Sequence, residues 1–407
     1  MTYFRFLREN APWLTAGVLL TLVSSFGQTF FISIFAGVIR QEFDLSHGAW
    51  GGIYTIGTTA SAIVMIWAGV LTDRFRVRHL GAVVLFLLAV ACLLMAAVPS
   101  VWALPFVIFG LRFTGQGMID HTAVVSTARW FVATRGRALS IVAMGFAFGQ
   151  AVLPLTFVAL LAVTHWRILW VVAAVLSLAA IPVLIALLRN ERTPQSIAKE
   201  THAVGMEGRH WKRPEIIRHW LFWLMIPTLV GPSAWGTALF FQQVHLAEVK
   251  GWEHVQFVAL FPLFTLTSVV STFLSGWALD RFGTNRLMPL YLLPYSAAFL
   301  ILASAQSLFT AAVGMMVLGF GVGAGSTLPG AFWAEHFGTR NLGAIKALAT
   351  AVMVFGSAIG PGISGYLIDF GVAFPDQMIG ICIYFIVAAA LAMIGVRRAR
   401  PRLALTP

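Results

Sequence analysis

Charge is scarce in this chain: Asp, Glu, Lys and Arg together make up 10% of its 407 residues. A soluble globular protein carries about 25%, so water is not the main solvent, and a soluble enzyme or binding module is a poor fit. Carboxylates are the scarcer sign, 15 against 27 cations, for a net charge of +12. There are two cysteines, Cys92 and Cys382, both inside apolar runs, which speaks against a structural disulfide or a metal site. Long polar stretches are missing except for one, Arg189 to His219. No phosphate-cradling loop, nucleophile elbow or zinc spacing appears, so neither ATP hydrolysis nor covalent catalysis is indicated. No enzyme activity, cofactor or metal is therefore expected.

What is present is apolar surface: 59% hydrophobic residues and a mean hydropathy of +0.86. A helix needs about 20 apolar residues to cross the hydrocarbon. On that criterion the chain is an all-α membrane protein with twelve spans. The first six are Leu14–Ile39, Gly48–Leu71, Leu80–Val98, Ala103–Ser126, Ala138–Val163 and Ile168–Leu188. The second six are Trp220–Val244, Val255–Leu279, Leu287–Ala305, Leu308–Trp333, Leu342–Ile368 and Gln377–Val396. They are numbered spans 1 to 12 below. The uncharged run Ala11 to Ile39 is too long for a signal segment and reads as an uncleaved first helix.

The cations cluster at the ends of apolar runs, the positive-inside pattern rather than a nucleic-acid stripe. With the N-terminus inside, 22 of the 27 fall in inner segments and three, Arg40, Arg167 and Lys250, in outer loops. Both termini are thus expected to be cytoplasmic, in a multi-pass protein of the plasma membrane.

A charged hairpin, Gly69-Val-Leu-Thr-Asp73-Arg74-Phe75-Arg76, separates spans 2 and 3. A second copy, Gly276-Trp-Ala-Leu-Asp280-Arg281-Phe282-Gly283, lies 207 residues later. An offset of half the chain implies two similar six-helix halves, as in transporters. The expected domains are residues 1–188, a linker 189–219, and residues 220–407. In the hairpin, the glycine one turn before the aspartate allows close helix approach, and the aspartate can pair with an arginine or cap a neighbouring helix.

The hairpin resembles the loop signature Gly-x-x-x-Asp-Arg-x-Gly-Arg-Arg/Lys of the major facilitator superfamily. Arg76 stands where that pattern has its second glycine, which the second copy keeps as Gly283. The resemblance covers nearly the whole chain. It implies two six-helix bundles related by pseudo-two-fold symmetry, working by alternating access, with Gly69, Asp73, Arg74, Gly276, Asp280 and Arg281 in conformational gating. Trp130-Phe131 followed by Arg135-Gly136-Arg137-Ala-Leu139, then Gly145, Gly149 and Pro154, looks like the monocarboxylate-porter-like branch. Ser25-Phe-Gly27-Gln28 is similar to bacterial members. Gly356, Gly360, Pro361 and Gly365 recur in span 11, where small residues permit close packing. Unlike carboxylate transporters of that branch, span 8 carries no arginine, so the countercharge for an anion must come from elsewhere.

Polar groups deep in a span default to functional hypotheses. Arg112 lies near the middle of span 4 and can hold a carboxylate at two points. Gln116 and Asp120 follow at i+4 and i+8, rotated by about 40° and 80° on an α-helix, so the three can share a face. Asp120, the one intramembrane carboxylate, is the candidate proton carrier; the alternative is that Arg112 and Asp120 neutralise each other or helix neighbours. Gln28 in span 1, Gln150 in span 5, and Trp235, Gln242 and Gln243 in span 7 are further substrate candidates or helix ties. His121 reads as a packed histidine, and Lys346 as a snorkelling cation. Glu335 and His336 read as loop-level partners of Arg340.

The expectation is a secondary transporter for a small organic anion, carboxylate-like and proton-coupled, a symporter in the bilayer acting as a monomer. The alternatives are a proton-driven exporter of hydrophobic or cationic compounds, and a membrane sensor that binds without translocating. A Gly149-Gln150 pair where such exporters carry Gly-Pro weighs against the first, and no output domain appears for the second.

Overall fold

The structure is a computed structural model that describes residues 3–69, 71–131, 134–190, 204–338 and 340–403. Among them the regular structure is helical, with no strand. Lipid demands this, because a spanning segment must satisfy its own backbone hydrogen bonds. Among the described residues ten helices are long and apolar enough to cross a membrane, and eleven when the bent first pair counts as one span.

The twelfth is span 4. It runs without interruption through Leu104–Leu111, Arg112–Ile119 and Asp120–Trp130, but its middle eight residues are wound as a π-helix. Span 1 is also irregular. Tyr3–Ser24 passes into a 3-10 turn, Ser25–Gly27, and restarts at Thr29–Ile32 after an extended Gln28 (φ −87°, ψ 152°). The two parts of the span meet at 47°. The remaining spans fall close to their expected places, with span 10 reaching Phe337 rather than ending at Trp333.

The chain separates into two compact units, Met1–Lys199 and Glu200–Pro407. In the first, span 5 lies along span 1 and span 6 along span 3. Gly145 and Gly149 face Val18, Thr21 and Ser25 so closely that a Cβ would collide. The Thr21 hydroxyl uses the approach to donate to the Val142 carbonyl, 2.6 Å away. In the second unit, span 11 lies along span 7 and span 12 along span 9. There Gly356 and Gly360 stand against Val230, Ser233 and Ala234. The expected role of the paired glycines is met in both units.

Part of the linker, residues 191–203, lies outside the described residues. Residues 204–219 belong to the second unit. The Trp211 N–H donates to the Phe337 carbonyl at 3.1 Å, and the Asn341 amide donates to the Trp211 carbonyl at 2.9 Å. A short helix, Arg213–Arg218, then leads into span 7.

Candidate functional site

The two irregular spans of the first unit cross at their irregularities. Gly27 and Gly115 meet backbone to backbone, and a Cβ on either would overlap the other's main chain. The break after Gly27 ends one helical stretch, and carbonyls at such ends lack intrahelical partners. Arg112, one turn before Gly115, supplies the partner: its Nη1 donates to the Gly27 carbonyl at 3.1 Å. Its guanidinium carbon sits 5.4 Å from the centre of the Tyr54 ring in span 2. The Tyr54 hydroxyl in turn shares a short hydrogen bond with the Thr29 hydroxyl, just past the break.

Arg112 is 1% exposed, yet Nε and Nη2 have no hydrogen-bond partner among the described residues. A buried donor left unsatisfied costs about 1–3 kcal/mol, and more when charged. One face of the fork is thus spent on span 1 and a tyrosine ring, and two donor nitrogens, Nε and Nη2, remain for an acceptor.

Gln28 and Gln116 flank this crossing as the neighbours of Gly27 and Gly115, the first buried and the second half-buried. Gln150, half-buried, follows Gly149, which stands against Ser25. Asp120 begins the α-helix after the π stretch and takes part in no ion pair or hydrogen bond among the described residues. The π winding alters the geometry expected for Arg112, Gln116 and Asp120. Hydrogen bonds that run i to i+5 widen the turn, so the increment of an α-helix does not carry from 112 to 120.

Trp235 and Gln242 belong to the second unit. The Trp235 ring meets Tyr384 edge to face at 6.0 Å, and its buried indole N–H has no partner among the described residues. Pro227 and Pro232 lie inside the continuous helix of span 7, and the carbonyls of Pro227 and Thr228 are taken by the hydroxyls of Tyr384 (2.9 Å) and Tyr291 (2.7 Å). The Gln242 amide donates to Ser364 in span 11 at 3.1 Å, while Gln243 lies 3.3 Å from His254. Both serve as ties in this conformation.

The two hairpins differ in a way their sequences foreshadow. Arg76 has φ −68° and ψ 140°, open to any residue, whereas Gly283 has φ 75° and ψ 160°. The second is a region reserved for glycine, which explains why one copy keeps the glycine and the other does not need it. The close approach expected of the leading glycine holds in the first copy, where a Cβ on Gly69 would lie 3.4 Å from Nε2 of His121. It fails in the second, where a Cβ on Gly276 would meet no other described element within 4 Å.

The Asp73 side chain lies outside the described ones, and Arg74, Asp280 and Arg281 are exposed. Arg129, at the end of span 4, donates to the Thr72 carbonyl at 2.8 Å. In the second unit Asn285 donates to Glu335 at 3.2 Å. Each hairpin is so tied to the C-terminal end of span 4 or 10. Glu335 therefore faces Asn285 and not Arg340 as expected, and His336 is buried, stacked on Phe332 at 4.1 Å. Lys346 is exposed, its Nζ 3.7 Å from the Cβ position of Gly330.

Tyr54 and Thr29 escaped the sequence reading; Arg129, which that reading makes a loop cation able to pair with Asp120, instead donates to the Thr72 carbonyl. Tyr54 had one available signal: it is the lone tyrosine in the expected spans of the first half.

Comparison with known proteins agrees with this architecture. A bacterial homologue of the human lysosomal transporter Spinster, in an inward-facing and occupied conformation, superposes with a TM-score of 0.76 at 16% identity, covering 97% of this chain and 98% of that one. A nucleoside transporter superposes with a TM-score of 0.69 at 12% identity, covering 96% and 99%. In sequence, a multidrug resistance protein B homologue of Mycobacterium tuberculosis (strain CDC 1551 / Oshkosh) is 33% identical over 106 residues, a stretch that spans 26% of this chain and 19% of that relative. The profile of the Major Facilitator Superfamily matches residues 17–278 and 255–406. The chain belongs to the Major Facilitator Superfamily, and it is a multi-pass membrane transporter rather than an enzyme.

Proposed function

We propose that this transporter moves a small organic anion, carboxylate-like, together with a proton by alternating access. The observation that carries the reading is Arg112, a buried guanidinium with two donors unpaired. A carboxylate accepts two parallel N–H bonds from such a fork, and no carboxylate of the described protein fills that place. A charge at the centre of a span costs about 2.5–3.5 kcal/mol on insertion scales, so a binding partner offsets a real penalty. Asp120, eight residues on and unpaired, is the proton carrier in this proposal. Gln28, Gln116 and Gln150 surround the crossing with neutral donors and acceptors, and Trp235 offers an unpaired N–H in the other unit. The hairpins gate, through Gly69, Asp73, Arg74, Gly276, Asp280 and Arg281.

The same reading places the chain in the monocarboxylate-porter-like branch, as a symporter and a monomer in the plasma membrane, with both termini cytoplasmic by the bias of its cations. Uptake of labelled carboxylates into liposomes under an imposed pH gradient tests it. Accumulation that follows the gradient supports the proposal, and transport indifferent to pH removes the proton.

A second reading has one observation in its favour, the stretch shared with the multidrug resistance protein B homologue. It makes the chain an exporter of hydrophobic or cationic compounds. Gradient-driven extrusion of a lipophilic cation, with no carboxylate uptake, would decide for it.

A further inference from the structure

Around the start of span 7 and the end of span 12, cations outnumber the carboxylates available to them. Gly395 packs against Leu221, Leu224 and Met225, so the last turn of the span 12 helix, Phe374–Ala399, which carries Arg397 and Arg398, stands beside the first turns of span 7. Arg400 and Arg402 follow in a 3-10 turn. Arg402 folds back to within 6.0 Å of the Trp220 ring and 4.0 Å of Glu207. The segment entering span 7 adds Arg209, Lys212, Arg213 and Arg218.

Two carboxylates lie in residues 204–219, and both are engaged. Glu207 pairs with Arg209 at 3.2 Å as well as with Arg402. Glu215 pairs with Arg209 at 3.7 Å and accepts from the Lys212 backbone N–H at 2.6 Å. Arg213, Arg218, Arg397, Arg398 and Arg400 are exposed and take part in no ion pair among the described residues. Five guanidinium groups of one sign are left facing outward.

Trp223 fixes the depth of this surface. It is 58% exposed, and its indole N–H donates to the Ile217 carbonyl at 2.8 Å. An indole with its ring exposed and its polar edge held at a helix start suits the boundary between acyl chains and headgroups. Arg218 follows Ile217, the indole's partner, and Gly395 sets Arg397 and Arg398 beside the first turns of span 7, so an anion that meets these arginines and the exposed indole together carries an apolar body.

We propose that the arginines at the end of span 12 and the entry to span 7 form a binding surface for anionic phospholipid headgroups, with the acyl chains against Trp223. A free phosphate would satisfy the guanidinium groups and leave the indole bare. A phospholipid with a net negative headgroup covers both.

The test uses the full chain and the triple substitution Arg397→Gln, Arg398→Gln, Arg400→Gln. Each protein is titrated from neutral detergent with phosphatidylglycerol, phosphatidylcholine or inorganic phosphate, and binding is followed by thermal shift and by native mass spectrometry of retained lipid. The wild type should prefer phosphatidylglycerol over phosphatidylcholine and respond weakly to inorganic phosphate. A surface cation contributes about 1 kcal/mol toward an anionic membrane, roughly fivefold. The triple variant should therefore lose on the order of a hundredfold in apparent affinity, and the corresponding triple lysine variant should recover most of it. Equal response to both lipids, equal response to inorganic phosphate, or an unchanged preference in the glutamine variant would each overturn the proposal. If the glutamine variant fails to fold, the wild type decides: its preference should fade in 1 M salt, where screening shortens to about 3 Å, and persistence would contradict it.

Discussion

Arg112 reaches across from span 4 to the Gly27 carbonyl of span 1, 3.1 Å away, at the one point where both helices depart from α-helical winding. The π stretch and the broken span are two sides of the same contact. A straight span 1 would have no free carbonyl there, and a Cβ at 27 or 115 would hold the backbones apart. The bend of the first span and the placement of the buried charge are therefore coupled.

That coupling predicts the effect of a methyl group. Gly115→Ala and Gly27→Ala each force backbone apart, an overpacking cost of about 1–3 kcal/mol. Both should lower the Tm in detergent and reduce transport. Gly52→Ala, at a position with open space around it, should leave both unchanged. A Gly115→Ala protein with wild-type Tm would show that the crossing is loose.

The hairpins yield an asymmetric pair. Gly283→Ala puts a side chain at φ 75° and ψ 160°, which costs about 1–3 kcal/mol. Arg76→Gly, at the matching place in the first copy, should change stability far less, because φ −68° suits any residue. Thermal melts of the two variants side by side check this, and equal losses would refute the explanation.

Arg129 joins span 4 to the first hairpin through the Thr72 carbonyl. Arg129→Gln should slow the maximal rate of transport several-fold while leaving the KM near that of the wild type, because the contact belongs to a conformational step. A change confined to KM would place Arg129 in substrate binding instead.

Orientation is tested at Val204, which is 45% exposed and lies in the segment docked on the second unit. A Val204→Cys protein should resist an impermeant thiol reagent in intact cells and react after permeabilisation. Cys92 and Cys382 are buried and add little background. Labelling from outside would reverse the topology.

The legible part of this protein was written in periodic features. Apolar runs gave the spans, the repeated Gly-x-x-x-Asp-Arg gave the two halves, and the glycines of spans 5 and 11 gave their packing. Arg112 was visible because a cation deep in an apolar run is costly and needs a compensating contact, although the run does not say whether that contact is a ligand or a helix neighbour. The π stretch was not, since Arg112-Phe-Thr-Gly-Gln-Gly-Met-Ile119 has no local signal that separates i+5 from i+4 bonding. The winding coincides with a tertiary contact, Gly27 on Gly115. Tyr54 and Arg129 act through partners in other helices, and spacing along one helix does not report those. Gln242 and Ser364, 122 residues apart, are the same case.

The most direct test of the anion site is a set of thermal melts of the wild type, Arg112→Lys and Arg112→Gln with and without candidate carboxylates. The account predicts that one carboxylate raises the wild-type Tm. It should raise the Lys variant's less, since the charge remains and the two-point geometry is lost, and leave a folded Gln variant unmoved. A folded Arg112→Gln protein stabilised by that carboxylate as much as the wild type would contradict it.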